Sequence, residues 1–505
     1  MIISNFHARR LLMVRIVQIA LHDFKNIGFG EIAFTKSKPG SAFVPGADVI
    51  GIYGQNGSGK TSVIEAIDLV KTLMTGAAYD RQKVLDYFYP GKDSFSIDIE
   101  FNIDTTDESF LTFYTVTFSR RAASVWISHE KMAVKQFNVD KDKWGSKRTL
   151  IELVQEAPES ATAVLPRNRW SHLLNANQQL KMSMLVSLGV LQRGNMSPML
   201  SIQTVKYMIS LYACDFNLYL QEEPPEQLQI NEAVYKLQSA SFKSAHQEIL
   251  TPLYCLLAEL GFYFRYRVNV FTTLANATCS LNVLSMDIID NRVFGQKGHL
   301  SVNLFKPAVI KDDDFPAVSS AIKRVSELIG TLVPGLSIKV KVVGSQLLDK
   351  GDSPAKQVEF LSCRNGVEIP LRCESEGVRK LISFSLCLME VHSYSDAFLA
   401  IDELDSGVFE FLLGQLLSVL ESFGKGQLLF TAHNLRVLEL LPASEILLTT
   451  ADPDNRFVRF KGVKPTNNMR DQYLRAISLG DSGQRLYDST DRYSIDAALC
   501  LDGDE

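Results

Sequence analysis

The chain has 505 residues, 46% of them hydrophobic and 22% charged, with a formal net charge of −5. Such a balance describes an ordinary globular protein with room for two or three domains, or for one domain carrying a large insertion. A pI near 6.0 excludes a globally basic nucleic-acid-binding surface and leaves only a local one open.

The first residues carry His7-Ala-Arg-Arg10 before Leu11-Leu-Met-Val14, which faintly resembles a signal peptide. Arg15 breaks the apolar run and no small-residue cleavage site follows. Met13 offers an alternative start, so residues 1–13 are expected to be a disordered or misassigned extension. From Arg15 to Leu21 the pattern alternates as a strand, and Ile27 to Phe34 reads as its hairpin partner. Val49-Ile-Gly-Ile-Tyr53 is an apolar strand. It runs directly into Gly54-Gln55-Asn56-Gly57-Ser58-Gly59-Lys60-Thr61, which fits the phosphate-loop pattern G-x-x-x-x-G-K-[ST]. Val63, Ile64, Ile67, Val70 and Leu73 then fall on one helical face. In that strand–loop–helix setting, backbone N–H groups of the loop surround a phosphate at a helix N-terminus. Lys60 reaches the β- and γ-phosphates, and the Thr61 hydroxyl serves Mg²⁺. Phe95 to Phe101, Phe110 to Phe118 and Val125 to Val134 continue as alternating strands.

Between residues 150 and 265 the pattern turns helical, most clearly over Asn231 to Leu260, where Phe242, Ala245, Ile249, Leu253, Leu256 and Leu260 share a face. The pattern is too short and irregular for a long coiled coil. Strands return at Tyr266–Val270, Cys279–Ile289 and Leu300–Leu304. A helix spans Phe315 to Ile329 and ends at Pro334-Gly335. Further strands follow at Ile338–Val343 and Gln357–Leu361, with an N-G turn at Arg364-Asn-Gly366.

The last third carries the second half of a nucleotide site. Glu374-Ser375-Glu376-Gly377 precedes a helix from Leu381 to Val391; Ser375 and the amide of Gly377 suit either a helix cap or an anion. Ala397-Phe-Leu-Ala-Ile-Asp402-Glu403 is a strand ending in two carboxylates and matches a Walker B element. Asp402 would hold Mg²⁺ and Glu403 would polarise the attacking water. Leu428-Leu-Phe-Thr-Ala-His433-Asn434 is a further strand ending in a histidine placed to sense the γ-phosphate. The seven cysteines form no C-x-x-C pair, as expected of reduced thiols in a cytoplasmic protein. No stretch approaches about 20 uninterrupted apolar residues, so no membrane span is expected.

Taken in order, these segments resemble the ATP-binding-cassette ATPases of the SMC/RecF type. The likeness is nearest to the branch with the degenerate signature S-E-G, which includes the ATPase domains of overcoming-lysogenization-defect-like proteins and of many bacterial anti-phage systems. It covers roughly residues 14–135 and 336–475. The resemblance implies an α/β P-loop fold. An N-terminal ATPase lobe (14–149) and a C-terminal lobe (336–470) form a split head around a mostly helical insertion (150–335), with an acidic tail from 471 to 505. It also implies a homodimer or higher oligomer closing around two ATP molecules. Lys60, Thr61, Asp402, Glu403 and His433 would come from one subunit and Ser375 and Gly377 from the other, with Asp405 cross-linking the two sites. Phe24-Lys-Asn26 resembles the hairpin loop that lies near the nucleotide in such proteins. The usual Q-loop glutamine is not assignable, Gln82 being only a candidate. The insertion is compact where SMC proteins carry long coiled-coil arms, so bridging of distant DNA is not expected.

Function by this likeness is that of an ATP-dependent sensor or regulator in bacterial anti-phage defence, acting on a separate, nuclease-like effector. Two other readings stand beside it: a DNA-repair or recombination ATPase that binds DNA directly, and a scaffold held together by ATP with little turnover.

Overall fold

Alternating burial along the first strands builds a wide antiparallel sheet. The computed structural model describes residues 13–34, 36, 46–104, 109–138, 141–160, 162–167, 170, 195–199, 251–272, 283–290, 296–348, 353–460, 468–479, 486 and 492–499. Strands β1 (Met13–Phe24) and β2 (Ile27–Ala33) form the expected hairpin, and β3 (Asp48–Tyr53) leads through the glycine-rich loop into α1 (Lys60–Met74) and the short α2 (Arg81–Leu85). Next come β4 (Ser94–Asp104), β5 (Ser109–Arg121), β6 (Ser124–Asn138), β7 (Lys143–Trp144), β8 (Arg148–Val154) and β9 (Ala163–Leu165). With β3 left aside, these strands make one eight-stranded sheet in the order β2-β1-β4-β5-β6-β8-β9, with β7 paired to β6. The inward residues of β4, among them Phe95, Ile97, Ile99 and Phe101, are buried while their neighbours are half-exposed. That is the period-2 pattern of a sheet with one face in the core.

The second sheet is parallel and lies deeper. Its edge strand β10 (Val268–Phe271) follows α3 (Thr251–Tyr266). Then come the hairpin β11 (Val283–Asp290) and β12 (Gln296–Asn303), β13 (Ala308–Lys311), α4 (Phe315–Leu332), β14 (Leu336–Leu348), β15 (Ser353–Arg364) and β16 (Val367–Pro370), with β13, β14, β15 and β16 forming a separate four-stranded antiparallel sheet. After these come α5 (Glu376–Ser393), β17 (Phe398–Ile401), α6 (Glu410–Phe423), β18 (Gln427–Thr431), β19 (Ile446–Thr449), β20 (Phe457–Val458), α7 (Met469–Leu479) and α8 (Arg492–Leu499). Strand order is β10-β17-β18-β3-β19-β20; all pairs are parallel except β19 with β20. The sheet is covered on both sides, so its strands read as continuous apolar runs. Ile50, Ile52, Ala400, Leu429 and Leu447 face one core, shared with α1, α3 and the antiparallel sheet. Val49, Tyr53, Leu399, Ile401, Phe430 and Leu448 face the other, shared with α4, α5 and α6.

A buried polar joint ties the two sheets at their base. Arg15 of β1 pairs with Asp48 of β3 at 2.9 Å, both fully enclosed, and Gln427 of β18 exchanges hydrogen bonds with the backbone of Ile16 at 2.9 and 2.8 Å. Losing either partner would strand a buried charge or amide, so the joint fixes how the lobes meet.

Most element types expected from the sequence match the described elements, and the turn at Asn365-Gly366 has positive φ at both residues (49° and 80°). The exception is the start of the segment expected to be helical from residue 150, where Arg148–Val154 and Ala163–Leu165 are strands that extend the antiparallel sheet, β8 pairing onto β6 and β9 onto β8. One difference is informative. β10, from the segment expected as insertion, pairs with β17 inside the parallel sheet, so this sheet recruits its edge strand from before residue 336. Of the helix expected over Asn231 to Leu260, residues 231–250 lie outside the described residues, as do residues 1–12 and the tail end 500–505. Among the described residues no helix is long and apolar enough to cross a membrane.

Candidate nucleotide site

Parallel α/β sheets open a crevice at the carboxyl ends of their strands. Here the ends of β3, β17 and β18 meet at such an edge, because Gly51 pairs with Phe430 and Phe430 with Ile401. A cavity of about 640 Å³ lies over it. Its walls include Asn56, Gly57, Gly59, Lys60 and Thr61 of the loop, Asp402 and Glu403 after β17, Thr431 and His433 after β18, and Lys25 and Asn26 of the first hairpin.

The loop is shaped for close approach. Gly54 sits at φ 155°, and a Cβ there would lie 1.6 Å from the Thr449 hydroxyl. Thr449 in turn holds the Ser58 hydroxyl at 2.7 Å. The Lys60 ammonium arches back to the carbonyls of Gly54 (2.8 Å) and Gln55 (2.9 Å). Burial pushes its pKa down, opposed by the nearby Asp402, Glu403 and Asp405. Asn26 donates to the Gly57 carbonyl and accepts from Ser62 at 3.2 Å, while Lys25 pairs with the buried Glu65 of α1 at 2.6 Å. The hairpin is thereby bolted to the loop and its helix, as the likeness of Phe24-Lys-Asn26 implied.

Across the cavity floor the carboxylates are set by hydroxyls. Asp402 is fully buried, and its Oδ1 accepts from Thr61 at 3.2 Å and from Thr431 at 2.6 Å. Thr431 also accepts the Glu403 amide at 2.7 Å. Mg²⁺ bonds of 2.0–2.1 Å in an octahedron place adjacent oxygens about 3 Å apart, so the Thr61 and Asp402 oxygens fit one small hard cation. Mg²⁺ in phosphate-binding sites takes its remaining ligands from phosphate and water.

Glu403 holds φ 49°, a left-handed conformation that is costly for a side-chain-bearing residue. Its turn is held from two sides. Ser406 donates to the Glu403 carbonyl at 3.1 Å and Leu404 to the Thr431 carbonyl at 3.0 Å. From α5, the Lys380 ammonium donates to the carbonyls of Glu403 and Ser406.

Three of the residues marked by the sequence are held by contacts within the chain. Asp405 does not line the cavity. Its Oδ2 accepts the amides of His433 (2.8 Å) and Asn434 (2.6 Å) of the same chain, so its visible work is to hold the histidine loop. Gly377 is buried, and an added Cβ would lie 1.8 Å from the Gly407 carbonyl; its lack of a side chain answers a contact within the chain. Gln82 is exposed on α2, its amide capped by Asp80 at 2.9 Å, and it does not reach the cavity. Ser375 is exposed and caps α5, accepting from Val378 at 3.5 Å. Asp86, Phe88 and Pro90 also line the cavity and carry no spacing signal; backbone pairing of Lys25 with Tyr87 and of Tyr89 with Asp23 brings them there.

A phosphate loop on a central parallel strand, with paired carboxylates two strands away and a histidine strand between, is the arrangement of a P-loop nucleotide-binding fold and resembles the ABC type in its SMC/RecF-like form. Residues 18–232 match the profile of the family described as an AAA domain. No curated protein sequence matches the chain. Among solved structures, the chain is similar to the Smc head domain of Pyrococcus furiosus bound to the C-terminal domain of ScpA, with 13% identity over 89% of this chain and 96% of that one and a TM-score of 0.36. A second is an SmcHead bound to the C-winged helix domain of ScpA (12% identity, 88% and 97% covered, TM-score 0.37). A third is the Smc head of Pyrococcus yayanosii with a coiled coil and joint (13%, 92% and 99%, TM-score 0.40). Superposition at this level is loose, and the class rests on the chain's own loop, strand order and carboxylates.

Proposed function

We propose that this chain binds Mg·ATP in the cavity over β3 and hydrolyses it to ADP and phosphate. The observation that carries this reading is the shared oxygen of Asp402, which the phosphate-loop Thr61 and the Thr431 hydroxyl both contact. The loop amides from Gly54 to Gly59 and the Lys60 ammonium bind the phosphates. Thr61 and Asp402 hold the Mg²⁺. When bound, the cation neutralises charge developing between the β- and γ-phosphates. Glu403, aimed into the cavity by its left-handed turn, orients and polarises the attacking water. His433 stands at the same wall, where its ring can meet the γ-phosphate.

In the family likeness Ser375 serves the neighbour's nucleotide. Its exposure, outside the cavity of its own chain, supports a site completed by a second copy. We further propose that this dimer is the ATP-dependent regulator of a separate, nuclease-like effector in bacterial anti-phage defence. That role is supported by the Ser375-Glu376-Gly377 signature and by the order of the motifs.

The test is a pair of variants. Lys60→Ala should lose ATP binding, measured by titration with a fluorescent ATP analogue. Glu403→Gln should keep binding and lose turnover by about 10²-fold, the usual cost of removing a water-positioning group. Wild-type hydrolysis in both would refute the assignment. Co-purification with the products of neighbouring genes tests the effector.

A further inference from the structure

The contact between α5 and the turn after β17 does something that neither cavity wall requires. Lys380 is 3% exposed. Among the described residues its ammonium has no carboxylate within ion-pair distance and is held by the carbonyls of Glu403 and Ser406. An ammonium is costly to bury and settles for carbonyls only where the fold fixes it there. The acceptor at Glu403 is the carbonyl of the one non-glycine residue in this turn with a left-handed backbone. Such a conformation persists only when its surroundings over-determine it.

Lys380 also sits little more than one helical turn from Ser375, which caps the exposed end of α5. Between them Gly377 packs on the Gly407 carbonyl, with no room for a Cβ. The start of α5 and the turn 403–407 are therefore locked at two points, by backbone contact at Gly377 and by charge-assisted hydrogen bonds at Lys380.

We propose that Lys380 is a positioning residue for hydrolysis: by holding the Glu403 and Ser406 carbonyls it makes the signature end of α5 and the catalytic turn move as one body. A contact made at Ser375 then reaches Glu403 without passing through the nucleotide. This inference rests on the ATPase reading above.

The test is Lys380→Met, which keeps the length and apolar stem of the side chain and removes the donors. The Glu403 carbonyl keeps its bond from Ser406, so the fold should survive. Expected are ATP binding within a few-fold of wild type, kcat lower by about 10- to 100-fold, as for a small displacement of a reacting group, and faster amide exchange over residues 403–408. The decisive measurement is the double variant with Glu403→Gln. If Lys380 acts through Glu403, the double variant is no slower than Glu403→Gln alone. Multiplied losses in the double variant, or wild-type kcat in Lys380→Met, would overturn the proposal. Should Lys380→Met not fold, Lys380→Arg carries the same cycle: it keeps charge but cannot place a point donor between the two carbonyls, and the same outcomes decide. A wild-type chain that neither binds nor hydrolyses ATP overturns both readings; normal wild-type turnover with an unaffected Lys380 variant overturns this one alone.

Discussion

At the scale of single residues, the site depends on atoms that leave no slack. Gly54 is the sharpest case, since a Cβ would fall 1.6 Å from the Thr449 hydroxyl and the backbone is at φ 155°. Gly54→Ala must therefore shift the loop away from Thr449. The expected result is at least tenfold weaker nucleotide binding (about 1.4 kcal/mol), read by titration, with the melting temperature little changed. Asp402 behaves differently. Its carboxylate is buried between two hydroxyls, so Asp402→Ala should make nucleotide affinity nearly indifferent to Mg²⁺. An affinity that still rises with Mg²⁺ would move the cation to other ligands. The phosphate loop, Walker B pair and histidine strand were legible from the sequence because each carries a fixed spacing next to an apolar run. Lys380, Thr449 and Asp86 were not. They reach the cavity or its supports through pairing between distant segments, and no local period records that.

At the scale of elements, two clips hold pieces in place. Glu130 of β6 is fully buried and accepts from Tyr114 (2.7 Å), Ser197 (2.5 Å) and the Met199 amide (3.1 Å), so it staples residues 197–199 to the antiparallel sheet. Glu130→Ala would leave three buried donors without an acceptor and should cost about 3 kcal/mol or more in urea unfolding. Burial pushes the Glu130 pKa up, with the hydrogen bonds opposing. The native state thus keeps a proton that the unfolded chain releases, and the contribution of Glu130 to stability fades as pH rises through its folded pKa. Relative to wild type, Glu130→Gln should gain as pH rises above the ordinary glutamate range, compared by urea midpoints. The opposite trend would mean that the carboxylate is charged in the fold. The second clip is Gly377 against Gly407. Gly377→Ala forces α5 off the turn and should lower both stability and kcat. For this reason an arginine at Gly377 disturbs its own chain before it meets any neighbour.

At the scale of the whole molecule, the shared-site reading is therefore tested at Ser375, which is exposed. Ser375→Arg should bind ATP and fail to hydrolyse it. Mixed with Lys60→Ala chains, it should regain part of the wild-type rate, because one composite site then keeps both intact halves. Turnover per chain that stays constant on dilution far below any association threshold would refute a shared site. The sequence also conveyed the two kinds of sheet, through alternation in the antiparallel strands and apolar runs in the parallel ones. It did not show that β10 completes the parallel sheet. Val268–Phe271 is a four-residue strand, and nothing in so short a run says which sheet it joins.

The position of β3 between β18 and β19 has a consequence for how the protein is made. The strand that carries the phosphate loop is complete by Tyr53, yet both neighbours, Gln427–Thr431 and Ile446–Thr449, are synthesised only several hundred residues later. At about 5–20 residues per second the wait is on the order of 20–80 s. During that time the antiparallel sheet can pair strand by strand, since β1, β2, β4, β5 and β6 have partners close in sequence. β3 has none, and all six of its residues are destined for burial. A translation product that stops before residue 427 thus exposes both hydrogen-bonding edges of an apolar strand, and there such fragments should aggregate or be captured by chaperones.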